Sequence, residues 1–227
     1  MQAVILAAGY GLRLRPFTEH APKGLVPILG KPLLEWTLES LPKNIDEIVI
    51  VTGWLGEQIE SKFGPIYNGT PIHYVQQEPI NGTGSALHFA RSFLHNTFLV
   101  VNGDDVYTKS DLELLASSST WGMLAAATTG PLNGALHINT EQNIIGLIED
   151  QSTEQKWINC GAYITTMDIF DLPLAEIMVR GKVEYSLPHT LIQSPETHPV
   201  RLFKASTWLP IGTPEQLAKA EKILQNV

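Results

Sequence analysis

The alternation of apolar strand patterns with amphipathic helix patterns over the first half of the chain limits the fold more than any other feature. Residues 2–8 form a run that is apolar from Ala3 onward and stops at Gly9, and residues 47–52 and 97–101 are mainly apolar runs of the same kind. Such runs are typical of parallel strands that are buried on both faces. Because helical patterns separate them, we expect right-handed crossovers and a mostly parallel sheet. The sequence predicts a doubly wound α/β fold, a three-layer α/β/α sandwich.

Capping and turn signals divide the rest of the chain. Ser110 and Glu113 predict a capping box at one helix start, and Thr213 with Gln216 predict a capped start for the last helix. After about residue 120 the strand patterns follow one another closely, and we expect them partly to form an antiparallel addition. Two of the predicted helices begin at residues 32 and 110, and the others cover 56–63, 84–94, 185–192 and 214–224. The further predicted strands cover 72–75, 123–128, 135–138, 144–149, 157–165 and 199–203.

Length and charge exclude several classes of protein. With 227 residues, of which 44% are hydrophobic, the chain can bury one large core, and we expect a single domain over 1–227. A net charge of −8 argues against binding to a nucleic-acid backbone, which needs clustered Lys and Arg. No apolar run approaches the roughly 20 residues that span a bilayer. Because the N-terminal residues include no basic leader and Cys160 is the single cysteine, we expect a cytoplasmic protein without an internal disulfide.

The segment after the first strand combines glycines with basic side chains. It reads LAAGYGLRLRPFT over residues 6–18 and is followed by Pro22 and Lys23. Glycines at the end of a strand let backbone N–H groups approach phosphate oxygens, while Arg13 and Lys23 supply positive charge. Neither a dinucleotide fingerprint nor a Walker loop fits, since Leu14 stands at the third glycine position and no GK[ST] follows. The segment therefore predicts an anion-binding loop.

This segment resembles the opening motif of the sugar-phosphate nucleotidyltransferase family, LAAGxGxRLxPxT with a downstream Pro-Lys. The likeness continues through PKGLVPILGKPL at residues 22–33 and, more weakly, along nearly the whole chain. It implies a nucleotide-diphospho-sugar transferase-like sandwich, with an NTP-binding half up to about residue 128 and an acceptor-binding half over 129–227. Arg13 is implied to contact NTP phosphates, and Lys23 the acceptor phosphate and the α-phosphate. The backbone implied to line the base and the phosphates includes Leu6, Ala8, Gly9 and Gly11.

A second segment, residues 74–87, resembles the family segment that holds the nucleobase. It reads YVQQEPINGTGSAL, and the family form is Q, then EP, then GTxxAL. A glutamine amide can donate and accept hydrogen bonds at once, which suits the edge of a base. Strand alternation selects Gln76 over Gln77, and the resemblance adds Gly82 and Thr83 as nucleotide-binding residues.

A pair of carboxylates, Asp104 and Asp105, follows the strand predicted at 97–101. Side chains at the C-terminal ends of strands face the crevice in which open α/β sheets bind ligands. By resemblance, Asp104 is the family aspartate that ligates Mg²⁺, an ion that prefers hard oxygen ligands shared with substrate phosphates. The resemblance therefore implies Mg²⁺ as the cofactor, and Arg13, Lys23 and Asp104 as the catalytic residues.

Weaker matches in the second half imply an acceptor site. Asn133-Gly134 resembles a family segment that contacts the acceptor, and Glu149 resembles an acidic residue that binds sugar hydroxyls. Residues 157–163, WINCGAY, resemble the family's N-x-G-x-Y strand. With Lys23, the implied acceptor-binding residues are Gly134, Glu149, Asn159 and Glu184.

Two positions depart from the family pattern. The family has Glu-Lys-Pro where this chain has Glu149-Asp150-Gln151, so that an acid replaces an acceptor-phosphate lysine. The family also has Trp-x-Asp-x-Gly-Thr where Pro210 stands here, so that a second Mg²⁺ carboxylate is missing. We consider Asp105 as a hypothetical replacement for that carboxylate. The candidates for the missing positive charge are His20, Lys156, Arg180, Lys182, His189 and His198.

These features predict transfer of a nucleoside monophosphate from an NTP to a small phosphorylated acceptor, in the first place a sugar 1-phosphate. An ionised acceptor phosphate attacks the α-phosphorus and pyrophosphate leaves, so no general base is needed. The alternatives are the same chemistry on a phosphorylated alcohol such as phosphocholine, a nucleotide-binding regulator that no longer reacts, and a metal-dependent glycosyltransferase that uses Asp104 and Asp105. The expected partners are the NTP and the acceptor, without nucleic acid or membrane, and homo-oligomerisation stays open.

Overall fold

The computed structural model describes residues 1–225, without the side chain of Asn133. The strands are β1 Gln2–Leu6, β2 Pro27–Ile28, β3 Lys31–Pro32, β4 Glu47–Thr52, β5 Ile66–Tyr67, β6 Thr70–Gln76, β7 Thr97–Asn102, β8 Asp105–Tyr107, β9 Gly122–Thr128, β10 Leu132–Ile138, β11 Asn143–Asp150, β12 Lys156–Thr166, β13 Glu176–Val179, β14 Lys182–Tyr185, β15 Val200–Lys204 and β16 Trp208–Pro210. The α-helices are α1 Leu33–Ser40, α2 Gly56–Phe63, α3 Thr83–Ala90, α4 Lys109–Ala116, α5 Leu187–Leu191 and α6 Pro214–Leu224. Within the described range, none of these helices has the length and apolar character needed to cross a lipid bilayer.

Ten of the strands form one sheet in the order β10-β11-β15-β9-β12-β7-β1-β4-β6-β5. β7, β1, β4 and β6 run parallel to one another, and β9 with β15 forms a second parallel pair. β12 runs antiparallel to both of its neighbours, and β10 and β11 form an antiparallel hairpin at one edge. The chain passes from β1 to β4 and β6 on one side and returns as β7 on the other, so the strand order reverses next to β1. Open α/β sheets bind their ligands at such a reversal.

The two faces of the sheet bury separate cores, which explains the unbroken apolar runs. Val4 and Leu6 point into the core that contains α3 and α5, whereas Ala3 and Ile5 point into the core that contains α1 and α4. Since successive side chains of a strand point to opposite faces, a strand covered on both sides has no polar face. Burying each large aliphatic side chain stabilises the fold by roughly 1.5–3 kcal/mol. The packing is the three-layer arrangement that the sequence predicts.

A third, smaller core joins the C-terminal helix to the loop that follows β1. Leu14 from that loop is fully buried against Leu209, Ile211 and Leu217. β8 follows shortly after the end of β7, and β16 pairs with it in the antiparallel direction. The segment before α6 is therefore held beside the glycine-containing loop, although almost 200 residues separate them in the sequence.

The helix boundaries partly differ from those predicted. Pro32 is the N-cap of α1 rather than its first residue, because it belongs to β3. The capping box predicted at Ser110 is wrong: Thr108 is the N-cap of α4 and makes no side-chain capping bond. The capped start of α6 is confirmed, since the Thr213 side chain accepts a hydrogen bond from Gln216 N at 3.3 Å.

The hairpin of β13 and β14 is missing from the sequence prediction, which assigns residues 185–192 to a helix. Arg180 and Gly181 form its two-residue turn with φ angles of 51° and 76°. Positive φ at both turn positions is the geometry that favours tight hairpins. Each strand has only four residues, so its alternation is too short to identify from sequence. Because β14 extends to Tyr185 and Ser186 is the N-cap, the helix α5 begins at Leu187.

Candidate active site

A cavity of about 820 Å³ opens at the C-terminal ends of β1 and β7. The loop after β1 and the segment after β7 form two of its walls, and the start of α3 and the β13–β14 hairpin form others. The predicted site residues that line it are Leu6, Ala8, Gly9, Gly11, Arg13, Lys23, Gly82, Thr83, Asp104, Asn159 and Glu184. Gln76, Gly134 and Glu149 do not line it.

The loop after β1 presents its backbone to the cavity. Gly11 has φ of 63°, and a Cβ atom there would lie 2.8 Å from Thr18 Cγ2, so only glycine fits. The buried Thr18 hydroxyl donates to the Gly11 carbonyl oxygen at 2.8 Å, which explains why the motif ends in threonine. The N–H groups of Gly9, Tyr10 and Gly11 make no hydrogen bond to another described residue. Such free N–H groups at a strand end are suited to bind phosphate oxygens.

Three charged side chains line the cavity at or near this loop. Lys23 Nζ lies 2.5 Å from Asp104 Oδ2, and the two side chains are 13% and 36% exposed. The Arg13 guanidinium packs against the backbone of Gly212, since a Cβ atom on that glycine would lie 3.0 Å from Arg13 Nη2. The cavity thus brings together one carboxylate and two cations from segments that are distant in the sequence.

Asp105 faces away from the cavity. Its buried side chain accepts hydrogen bonds from Trp208 Nε1 at 3.2 Å and from the Ile211 N–H at 3.3 Å. Burial, and then the nearby charge of Asp104, raises the pKa of Asp105 to about 7. In the β8–β16 pair, Asp105 lies opposite Pro210. This geometry contradicts the hypothesis that Asp105 replaces the missing metal carboxylate, because the carboxyl group holds the C-terminal segment instead.

Replacing Asp105 by alanine is expected to destabilise the protein by about 1–3 kcal/mol without weakening the binding of a divalent metal. The substitution leaves the buried N–H groups of Trp208 and Ile211 without their acceptor. Asp105→Asn is the matched control, because its amide oxygen can still accept a hydrogen bond. Urea denaturation measures the stability, and calorimetry with Mn²⁺ measures metal binding. Weaker Mn²⁺ binding in both variants would show instead that Asp105 is a metal ligand.

The structure places Gln77 rather than Gln76 at the cavity. β6 ends at Gln76, whose side chain is exposed, and the chain then turns. Gln77 is 2% exposed and lines the cavity, and its Nε2 donates to the carbonyl oxygen of Gly82 at 3.0 Å and to Asn81 Oδ1 at 3.3 Å. The sequence-based choice relies on alternation from Tyr74, which holds up to Gln76 but not for Gln77, because the strand ends between the two glutamines.

On the acceptor side, Asn159 is held within its own strand. Its Oδ1 accepts a hydrogen bond from the Gly161 N–H at 2.9 Å, and its Nδ2 donates to the Tyr163 hydroxyl at 2.7 Å. Both Asn159 and Tyr163 line the cavity. The N-x-G-x-Y pattern is therefore a rigid wall whose two side chains orient each other.

The β10–β11 hairpin does not bring its predicted residues to the cavity. Gly134 lies in β10, and the exposed Glu149 in β11 accepts a hydrogen bond from Gln151 Nε2 at 2.9 Å. The side chain of Asn133 lies outside the described residues. β10 and β11 form one edge of the sheet, and four strands separate them from β1. The residues that resemble the family's acceptor contacts therefore lie away from the cavity.

Asp150 is bound by a buried lysine at the start of β12. Lys156 Nζ lies 2.9 Å from Asp150 Oδ1 and donates to the Ser152 carbonyl oxygen at 2.9 Å. The hydrogen bond from Lys156 is the largest of the effects that lower the pKa of Asp150 to about 2. Of the six candidates for the missing positive charge, Arg180 and Lys182 line the cavity, whereas His20, Lys156, His189 and His198 do not.

Comparison with known proteins identifies the family of this chain. Residues 2–227 match the family model of nucleotidyl transferases, and the chain belongs to that family. It is 31% identical to the bifunctional protein GlmU of Methanococcus vannielii over 100% of this chain and 56% of that protein. The chain thus spans about half the length of the GlmU relatives that it matches.

Two other relatives are closer to it in length. The chain is 33% identical to the D-glycero-alpha-D-manno-heptose 1-phosphate guanylyltransferase of Campylobacter jejuni, over 75% of this chain and 78% of that protein. It is 30% identical to the UTP–glucose-1-phosphate uridylyltransferase AglF of Haloferax volcanii, over 99% and 97%.

Solved structures confirm the predicted α/β/α fold class. The crystal structure of HddC from Yersinia pseudotuberculosis covers 98% of this chain and 99% of its own with a TM-score of 0.73 at 23% identity. The inositol-1-phosphate CTP transferase of T. maritima covers 99% and 94% with a TM-score of 0.76 at 22% identity. At these identities the likeness concerns the fold alone.

Proposed function

We propose that this protein transfers a nucleoside monophosphate from an NTP to a sugar 1-phosphate, which yields an NDP-sugar and pyrophosphate. The observation that carries the proposal is the meeting of Arg13, Lys23 and Asp104 in one cavity beside the free N–H groups of the glycine loop. Family membership supports nucleotidyl transfer. Two relatives are named for sugar 1-phosphate acceptors, which supports the same acceptor class here.

In the proposed reaction, an oxygen of the acceptor phosphate attacks the α-phosphorus of the NTP. A new P–O bond forms to the acceptor as the bond to pyrophosphate breaks, and no proton has to be removed from the ionised nucleophile. The protein therefore acts by positioning and by stabilising negative charge. Arg13 and the loop N–H groups are assigned to the NTP phosphates, and Lys23 to the α-phosphate and the acceptor phosphate that attacks it.

Asp104 is the proposed ligand of the divalent metal, for which we propose Mg²⁺. The described residues contain no cluster of three or more His, Cys, Asp or Glu side chains that could hold a metal alone. Mg²⁺ does not need such a cluster, because proteins usually hold it with one or two carboxylates and substrate phosphates. The carboxylate of Asp104, which lines the cavity beside the glycine loop, fits this donor set. When bound, the metal would neutralise charge on the transferring phosphoryl group.

The cavity walls favour a hydroxyl-bearing acceptor over phosphocholine. Recognition of a quaternary ammonium group needs several aromatic faces around one point. Within the described lining, the aromatic side chains are Tyr10, Tyr163 and Tyr185. The Tyr163 hydroxyl is engaged by Asn159, and Tyr10 packs against Trp54, 5.8 Å between ring centroids. Asn159 and Glu184 offer polar groups instead, which suit the hydroxyls of a sugar.

Pyrophosphate release from a panel of substrates tests this proposal. Each of ATP, CTP, GTP, UTP and dTTP is paired with several sugar 1-phosphates and with phosphocholine. We expect release only when an NTP and a sugar 1-phosphate are both present. NTP binding in calorimetry without release for any pair would instead support the non-reacting regulator, for which the proline at position 210 is the argument. Consumption of an NDP-sugar without pyrophosphate would support glycosyl transfer.

Gln77→Ala is expected to raise the dissociation constant of the NTP by roughly tenfold, because it removes one hydrogen-bonding partner of the base. Gln77 Nε2 is occupied by Gly82 and Asn81, and the amide oxygen accepts no bond from another described residue, so that it can accept from a base N–H. Gln76→Ala is the matched control and should bind NTP like the wild type. Calorimetry measures both constants, and the reverse result would restore Gln76 as the base contact.

A further inference from the structure

The β13–β14 hairpin carries two opposite charges into the cavity. Lys182 and Glu184 of β14 lie opposite Val179 and Ile177 of β13, and all four residues line the cavity. Val183 lies between the two charged residues and points to the other face, where it is 47% exposed. The inner face of the hairpin is therefore a wall with an ammonium group and a carboxylate two residues apart.

The hairpin is fixed to the nucleotide-binding half at its base. The Tyr185 N–H donates to the Asn81 carbonyl oxygen at 2.8 Å, and the Leu187 N–H donates to Thr83 Oγ1 at 3.1 Å. A Cβ atom on Gly82 would lie 2.3 Å from the Tyr185 carbonyl oxygen, so the two segments are in backbone contact. These contacts hold β14 in position, so the direction of its inner face is defined before any ligand binds.

Neither charge on this face has a partner among the described residues. Lys182 and Glu184 make no ion pair or hydrogen bond with each other or with any other side chain in residues 1–225. The lysine beside the glycine loop differs, since Lys23 is paired with Asp104. Two unpaired charges on one cavity wall are complementary to a ligand that bears both an anion and hydrogen-bond donors.

The acceptor phosphate also needs a cation that the family pattern does not provide here. The acidic residue at the family's lysine position, Asp150, is bound to Lys156 and lies outside the cavity. The described cationic side chains that line the cavity are Arg13, Lys23, Arg180 and Lys182. Arg13 and Lys23 belong to the glycine-loop side, and Arg180 occupies the turn at the tip of the hairpin. Lys182 is the cation that shares its face with Glu184.

We propose that Lys182 binds the phosphate of the acceptor, while Glu184 accepts hydrogen bonds from hydroxyls of the same molecule. Residues two apart on a strand have Cα atoms roughly 6.7 Å apart, a span that one phosphorylated sugar ring can bridge. The inference rests on the proposed function for its acceptor class. It adds a residue to the acceptor site and requires that the acceptor be a phosphorylated polyol.

Calorimetry with glucose 1-phosphate tests the role of Lys182 without depending on turnover. Wild type, Lys182→Ala, Lys182→Arg and the exposed-surface control Lys43→Ala are titrated with glucose 1-phosphate and, separately, with the preferred NTP. We expect Lys182→Ala to weaken glucose 1-phosphate binding on the order of 10- to 100-fold, with NTP binding unchanged. Lys182→Arg should recover most of the affinity, and Lys43→Ala should match the wild type. In turnover assays, KM for the acceptor should rise more than kcat falls.

The outcomes separate this inference from the proposed function. Equal affinity of Lys182→Ala and wild type for glucose 1-phosphate would overturn the inference and leave the proposed nucleotidyl transfer untouched. The same holds if Lys182→Ala loses affinity for the NTP alone. Absence of glucose 1-phosphate binding in the wild type would also overturn it. Lys182-dependent binding without pyrophosphate release from any NTP would support the inference and contradict the proposed function. A melting curve unchanged by the substitution shows that each variant is folded.

Discussion

Lys23→Ala should lower kcat/KM for nucleotidyl transfer on the order of 10²-fold or more. The ammonium group stands in the cavity, 2.5 Å from the Asp104 carboxylate, and its side chain is only 13% exposed. A cation held in a partly enclosed site stabilises the negative charge that develops on the transferring phosphoryl group, and alanine cannot do so. Steady-state pyrophosphate release measures the loss.

Two further variants make that result specific. Lys43→Ala removes an exposed lysine in the turn before β4 and should keep full activity. Lys23→Met keeps most of the apolar stem of the side chain and removes only the charge, so it should lose as much activity as Lys23→Ala while melting like the wild type. Turnover that is unaffected in Lys23→Met would remove Lys23 from the mechanism.

Gly82→Ala should destabilise the protein by about 2–5 kcal/mol and should weaken the binding of both substrates. Gly82 has φ of 110° and ψ of 167°, a backbone region open essentially to glycine alone. A Cβ atom there would lie 2.3 Å from the carbonyl oxygen and 2.6 Å from the nitrogen of Tyr185. Because these are backbone atoms of β14, the hairpin has to move away from the loop that contains Gly82. Urea denaturation and the two KM values measure the consequences.

Gly69→Ala is the matched control for backbone strain alone. Gly69 also has a positive φ, 87°, but no atom lies within 4 Å of the position where a Cβ would stand. This variant should lose only about 1–2 kcal/mol of stability and keep both KM values. If Gly82→Ala behaves in the same way, the contact between Gly82 and the β13–β14 hairpin is not what positions the hairpin.

Segments whose structure depends on residues close together in the sequence were predictable. The glycine loop is one such segment: residues 6–18 leave a buried strand, turn at Gly11 and end on Thr18, whose hydroxyl bonds back to that glycine. Because these contacts join residues that are close together in the sequence, the motif itself predicts the shape of the loop. The same holds for the capped start of α6 at Thr213.

Positions that depend on where an element ends were not predictable. Gln76 and Gln77 are adjacent and chemically identical, and only the end of β6 at Gln76 decides which one faces the cavity. For the adjacent carboxylates, the resemblance selects Asp104, but the role of Asp105 follows only from the pairing of β8 with β16, which turns Asp105 toward Trp208. A shift of one residue in a strand reverses the face of every side chain, so sequence patterns leave such pairs unresolved.

By itself, the sequence determined the mostly parallel sheet of the α/β/α sandwich, and its motifs predicted one site for Arg13, Lys23 and Asp104, which line the same cavity. Unbroken apolar runs and a strand that ends in glycines are short-range signals, and short-range sterics and burial decide their structure. Only the tertiary structure decided that the β13–β14 hairpin, with Lys182 and Glu184, is a wall of the cavity, and that Glu149 is not. The physical reason is that a cavity wall depends on which distant segments pack together, here Tyr185 against Gly82, and this contact between backbones leaves no pattern in the side chains.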